Sequence, residues 1–245
     1  MFLVAFVTCF IFFLQLRIAD EFKDAEEDAV YRPYRPVPRG LITLRQLGWL
    51  FVLGAIIQLS LALWFSPKLL IILIIAWLYL ALMSVEFFCR DWLKARPITY
   101  LWTHMLIMPI VDLYATACYW QPSLDFPPKG LLWFLAASFT NGLVIEFGRK
   151  IRPPGDEETG VPTYSKLWGP QKATTAWIIC LNFTFVFALL AAVQVDVVLP
   201  VAGILSLFLI TFPFLQKPGK RLELLSALWT LALYLTLGIL PLALS

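Results

Sequence analysis

Three aspartates recur every fourth residue in Asp20-Glu-Phe-Lys-Asp24-Ala-Glu-Glu-Asp28. On a helix of 3.6 residues per turn such positions drift by only about 40° per step, so the three carboxylates share one face. Glu27 lies near that stripe, and Glu21 stands about 100° away from Asp20. Like charges at this spacing repel, so a compensating cation is expected. Carboxylates so placed suit a hard divalent ion, above all Mg²⁺, which binds through one or two carboxylates, phosphate oxygens and several waters. The chemistry would then be that of a metal-bridged diphosphate. A solvated acidic helix with no ligand is the other reading. Directly after the stripe comes Tyr31-Arg-Pro-Tyr-Arg-Pro-Val-Pro-Arg-Gly40. Its prolines preclude an ordinary helix, and they place Arg32, Arg35 and Arg39 in a stiff loop beside the carboxylates. Guanidinium groups bind phosphate bidentately; the same arginines could equally serve as membrane-face anchors.

A second stretch, from Glu146 to Ser165, again mixes acids (Glu146, Asp156, Glu157, Glu158) with bases (Arg149, Lys150, Arg152). Alone it reads as an ordinary charged loop. With the first it could close over one shared metal–diphosphate site. Ionisable and amide groups inside apolar runs are further candidates: Glu86, His104, Asp112, Asn141 and Asn182. His104, the only histidine, could take a proton from an acceptor or orient it, but a structural hydrogen bond to a neighbouring helix is the expected role. A structural or cavity-polarity role is expected for Asp112.

The elements that must position these residues are membrane spans. The chain of 245 residues is 60% hydrophobic and 14% charged, against about half and a quarter in a soluble domain. Its apolar residues come in runs long enough to cross about 30 Å of hydrocarbon as helices. Spans are expected at 1–16, 47–65, 69–88, 98–119, 129–147, 173–193, 197–214 and 223–243. Backbone polar groups must be satisfied inside lipid, and the period-2 pattern of a barrel is absent, so the fold class is an all-α polytopic bundle of about eight helices. One domain, 1–245, is expected, with motif loops at about 17–46 and 148–172. Across alternate loops, one face collects 17 of the 19 Lys and Arg residues, which marks it as cytoplasmic. The expected location is a bacterial plasma membrane, multi-pass, with both motif loops cytoplasmic.

The segment Met1–Leu16 lacks the basic start and the cleavage site of a signal peptide. Cys9, Cys89, Cys118 and Cys180 form no CxxC and suggest neither a disulfide framework nor a zinc site. The cations are divided among loops at membrane ends, as the insertion rule requires, so no nucleic-acid partner is expected.

At the two charged stretches the sequence resembles the UbiA-type superfamily of intramembrane prenyltransferases. Asp20-Glu-Phe-Lys-Asp24-Ala-Glu-Glu-Asp28 fits the family motif N-D-x-x-D-x-x-x-D, with Asp20 for Asn and Glu21 for Asp. Arg32-Pro-Tyr-Arg35-Pro36-Val-Pro-Arg39-Gly40 fits the R-x-x-R-P-x-x-x-G that follows. In the second motif, D-x-x-x-D-x-x-x-G-x-x-S, Asp156 stands four before Gly160 as the second Asp would. Ser165 comes two residues late, Arg152 occupies the place of the first Asp, and an inserted Pro-Pro-Gly precedes Asp156. Glu146 is the candidate substitute. The resemblance implies nine helices, with the first motif ending the second, so an upstream helix is expected. It implies that Asp20, Asp24, Asp28 and Asp156, helped by Glu146, hold Mg²⁺ on an isoprenyl diphosphate. It also implies that Arg32, Arg35, Arg39 and Lys150 neutralise the departing diphosphate. The implied activity is transfer of the isoprenyl group to an aromatic or other lipophilic acceptor in the membrane. A terpene cyclase on the same scaffold, or a non-enzymatic transporter or binding protein, are the alternatives.

Overall fold

The computed structural model describes residues 1–123, 126–158, 160–215 and 219–241. Internal contacts divide the chain into two units, Met1–Pro127 and Pro128–Ser245. The described residues are helical and contain no strand. Seven helices among them are long and apolar enough to cross a membrane. An eighth apolar helix, Val198–Leu215, coincides with the expected span 197–214, though its apolar stretch Val198–Phe212 is shorter than the rest.

The first unit runs α1 Phe2–Lys23, α2 Ala25–Tyr31, α3 Leu44–Phe65, α4 Leu70–Ser84, α5 Arg90–Lys94, α6 Pro97–Met105 and α7 Ile107–Ser123. α1 packs against α3, α4 and α7. Phe12 meets Tyr114 edge-on at 6.2 Å, with both side chains fully buried. A Cβ on Gly54 would lie 2.7 Å from Ile11 Cγ2, so the small residue lets α1 and α3 approach closely, as membrane helices favour. Amide side chains add cross-helix hydrogen bonds. Gln15 donates to Phe51 O (3.2 Å), Gln58 donates to Thr8 O (3.2 Å), and Trp77 Nε1 donates to Gln58 Oε1 (2.9 Å). Bulky apolar side chains such as Trp49, Ile56 and Trp64 face outward, the inverse of a soluble surface and suited to lipid.

Two expected spans are interrupted. The run 69–88 is helical only to Ser84 and then turns through Glu86, Phe87 and Phe88, with φ of 51°, 52° and 58°. Left-handed conformations at non-glycine residues cost about 1–3 kcal/mol each and persist only where the surroundings over-determine them. The run 98–119 breaks at Leu106 between α6 and α7. Tyr79 OH donates to Thr103 O at 2.6 Å, supplying a partner for a carbonyl that a continuous helix would pair with the residue-107 N–H.

The second unit contains α8 Leu131–Lys150, α9 Tyr164–Trp168, α10 Pro170–Val193, α11 Val198–Leu215 and α12 Lys220–Tyr234. α8 and α10 make the most extensive pairing, joined by Thr184 Oγ1 donating to Thr140 Oγ1 at 2.9 Å. α8 and α12 touch at Gly148, where a Cβ would fall 2.1 Å from Ser226 Oγ. That hydroxyl accepts from Trp177 Nε1 and donates to Leu222 O, both at 2.9 Å. Trp177 stacks on Phe212 at 5.8 Å. Asn141 is fully buried and accepts from Thr230 Oγ1 at 3.1 Å; Asn182 instead bonds its own helix at Ile178 O.

Candidate active site

The expected single acidic helix is bent at its centre. α1 stops at Lys23, Asp24 adopts φ −96° and ψ 2°, and α2 begins at Ala25. The four-residue hydrogen bonds nevertheless continue through the bend: Asp24 N to Asp20 O at 2.9 Å and Asp28 N to Asp24 O at 2.8 Å. Asp20, Asp24 and Asp28 therefore stay on successive turns as the spacing requires.

Their side chains have three different surroundings. Asp28, only 1% exposed, lies 2.7 Å from Arg32 Nε and 2.5 Å from Arg35 Nη1. Asp20 lies 3.6 Å from Lys23 Nζ. Asp24 is half-buried, and its carboxylate makes no hydrogen bond or ion pair among the described residues. Burial, reinforced by the neighbouring Asp20 and Asp28 charges, pushes its carboxyl above the usual range despite Lys23 and Arg32. Of the outer acids, Glu21 pairs with Arg17. Glu27 pairs with Lys94 (2.7 Å) and Arg90 (3.5 Å), the two ends of α5, and the Lys94 hydrogen bond holds its carboxyl below the usual range.

The arginine loop owes its shape to Gly40. Gly40 N bonds Val37 O (2.9 Å) and Leu41 N bonds Pro36 O (3.0 Å), with Gly40 at φ +74°. This is the pattern that ends a helical turn through a left-handed residue, and glycine adopts it without steric cost. α3 then starts from a capping box between Thr43 and Gln46. Arg32 and Arg35 are turned onto Asp28, whereas Arg39 is exposed and unpaired among the described residues.

The second-unit candidates are arranged separately. Glu146, 8% exposed, is held by Arg149 at 2.6 Å and Lys150 at 2.8 Å, so Lys150 is engaged within its own helix. Arg152 lies 3.2 Å from Glu158, and its backbone N–H donates to Ser165 Oγ at 2.7 Å. Glu157 accepts from Thr163 Oγ1 at 2.6 Å. Asp156 is exposed on the turn Pro154–Asp156 with its carboxylate unpaired among the described residues.

Among the described residues no three His, Cys, Asp or Glu side chains gather as a ready metal cage. Mg²⁺ needs less, since one or two carboxylates with phosphate and water complete its shell. Asp24, unpaired and charged against its neighbours, and Asp20, held only by a long contact, fit that donor set. Asp28 and Glu146 are committed to cations of the protein and do not.

Sequence reasoning weighed Glu86 and His104 singly and missed that they meet. His104 Nε2 lies 3.1 Å from Glu86 Oε2. Tyr100 donates to Glu86 Oε1 at 3.0 Å and Lys23 donates to the Tyr100 hydroxyl at 2.9 Å. The four-residue spacing of Tyr100 and His104, whose rings stack at 3.9 Å, was visible; the long-range partners Lys23 and Glu86 carried no signal.

A polytopic all-helical chain with an aspartate stripe and an arginine turn at the end of one span is an integral membrane protein. The chain matches the model of the UbiA prenyltransferase family over residues 1–231. It belongs to that family, and membership implies prenyltransferase activity in general. No curated protein and no solved structure matches it.

Proposed function

We infer that the chain transfers an isoprenyl group from its diphosphate to an aromatic or other lipophilic acceptor, with Mg²⁺ as cofactor, on the cytoplasmic side of the membrane. The observation that carries this reading is Asp24. It is a half-buried carboxylate between two others, raised above its ordinary range and unpaired among the described residues. Asp20 and Asp24 would hold the metal, which when bound supplies Lewis-acid stabilisation of the leaving diphosphate. Asp28 orients Arg32 and Arg35, whose remaining N–H donors can reach a phosphate. Arg39 adds an unpaired guanidinium at the same turn. Apolar helix faces keep water from the carbocation that ionisation of an allylic diphosphate produces.

The test is diphosphate release from geranyl, farnesyl and geranylgeranyl diphosphate in nanodiscs, with Mg²⁺ or EDTA, and with an aromatic acceptor present or absent. Release that needs both metal and acceptor is expected. Release without acceptor would make the protein a cyclase, and no release from a folded protein would remove the enzymatic reading.

A further inference from the structure

Four polar side chains meet beside the last turn of α1, with Glu86 as their hub. Glu86 is 3% and His104 7% exposed. The Lys23 ammonium lies 2.9 Å from Tyr100 Oη, 3.4 Å from Glu86 Oε1 and 3.6 Å from Asp20 Oδ1. Glu86 in turn accepts from the Tyr100 hydroxyl at 3.0 Å, and His104 Nε2 lies 3.1 Å from its other oxygen. Its backbone is the first of three consecutive left-handed residues, a conformation maintained only when the surroundings impose it.

Lys23 sits in sequence between Asp20 and Asp24, the two carboxylates that fit a divalent cation. An ammonium is the competitor nearest to hand for such a pair. Lysine is a compact charge on a flexible stem, so its position depends on what holds its tip. Here the tip is drawn towards a buried carboxylate and a phenol instead of onto Asp24.

We propose that Glu86, supported by Tyr100 and His104, is a positioning residue for divalent-cation binding: it holds the Lys23 ammonium away from Asp24 and at the margin of Asp20. The inference rests on the reading of Asp20 and Asp24 as metal ligands. Removing the Glu86 charge would release the Lys23 ammonium onto the aspartates, where it opposes the metal.

The test is Mn²⁺ binding to the full chain in nanodiscs without substrate, read from the electron paramagnetic resonance signal of free Mn²⁺. Asp24→Asn is expected to abolish binding. Glu86→Gln is expected to weaken it roughly tenfold, since a unit charge freed about 4 Å from the ligands acts strongly even at partial exposure. Tyr100→Phe should weaken it less, in the same direction. The double variant Lys23→Met/Glu86→Gln should recover wild-type affinity, which a merely structural role for Glu86 would not allow. Loss in Asp24→Asn with wild-type binding in Glu86→Gln and Tyr100→Phe would overturn this inference and leave the metal reading standing. So would a double variant as weak as Glu86→Gln alone. Unchanged binding in Asp24→Asn would overturn the metal reading and this inference with it. Should Glu86→Gln fail to fold, Tyr100→Phe against Lys23→Met/Tyr100→Phe makes the same comparison.

Discussion

Arg32 Nε lies 2.7 Å from Asp28 Oδ1, one turn further along the chain, and Arg35 closes on the other oxygen of the same buried carboxylate. The third aspartate of the stripe is therefore the anchor of the arginine turn.

Asp28→Asn should strip both guanidiniums of their counter-charge. Breaking a buried ion pair by removing one partner costs about 3 kcal/mol or more. The expected result is a lower thermal midpoint in nanodiscs, together with a raised KM for the isoprenyl diphosphate.

Asp24→Asn should behave in the opposite way. No bond among the described residues is lost, and repulsion from Asp20 and Asp28 is relieved, so stability should hold or rise while turnover falls by roughly a hundredfold or more. The sign with pH follows from the raised carboxyl. The folded protein retains this proton better than the unfolded chain, so the contribution is present below the unfolded pKa and fades as pH rises through the folded one. Metal-free wild type should lose stability across that window more steeply than Asp24→Asn in parallel thermal melts.

Two glycines separate backbone strain from steric collision. At Gly40 a Cβ meets nothing within 4 Å, but φ is +74°, so Gly40→Ala should cost about 1 kcal/mol. At Gly148 a Cβ would lie 2.1 Å from Ser226 Oγ and 3.0 Å from Leu222 O. Gly148→Ala should cost about 2–3 kcal/mol as α8 and α12 are forced apart. Chemical unfolding in mixed micelles should rank them in that order.

Tyr79→Phe should remove the 2.6 Å bond to Thr103 O at the α6–α7 break. The loss should be about 1 kcal/mol, with faster hydrogen exchange of the amides around Leu106 as its local signature.

The span pattern was legible because a helix in lipid must be both apolar and long, and the aspartate stripe because helical spacing is written in the chain. The local turn at Gly40 is likewise consistent with its residues. What was not legible depends on distant partners. Nothing near Lys23 announces Glu86 or Tyr100, and nothing near Glu27 announces Lys94. The helix endings at Ser84 and Leu106 were hidden for a similar reason, since apolar composition continues through both and only tertiary contacts interrupt the backbone.

The loop after α8 closes upon itself. Arg152 is tied to Ser165 and Glu158, Glu157 to Thr163, and Lys166 to the carbonyl of Glu158. Such a segment behaves as an exchangeable cassette. Length changes at its exposed turn Pro154–Asp156 would be taken up between those ties before they reach α8 or α10.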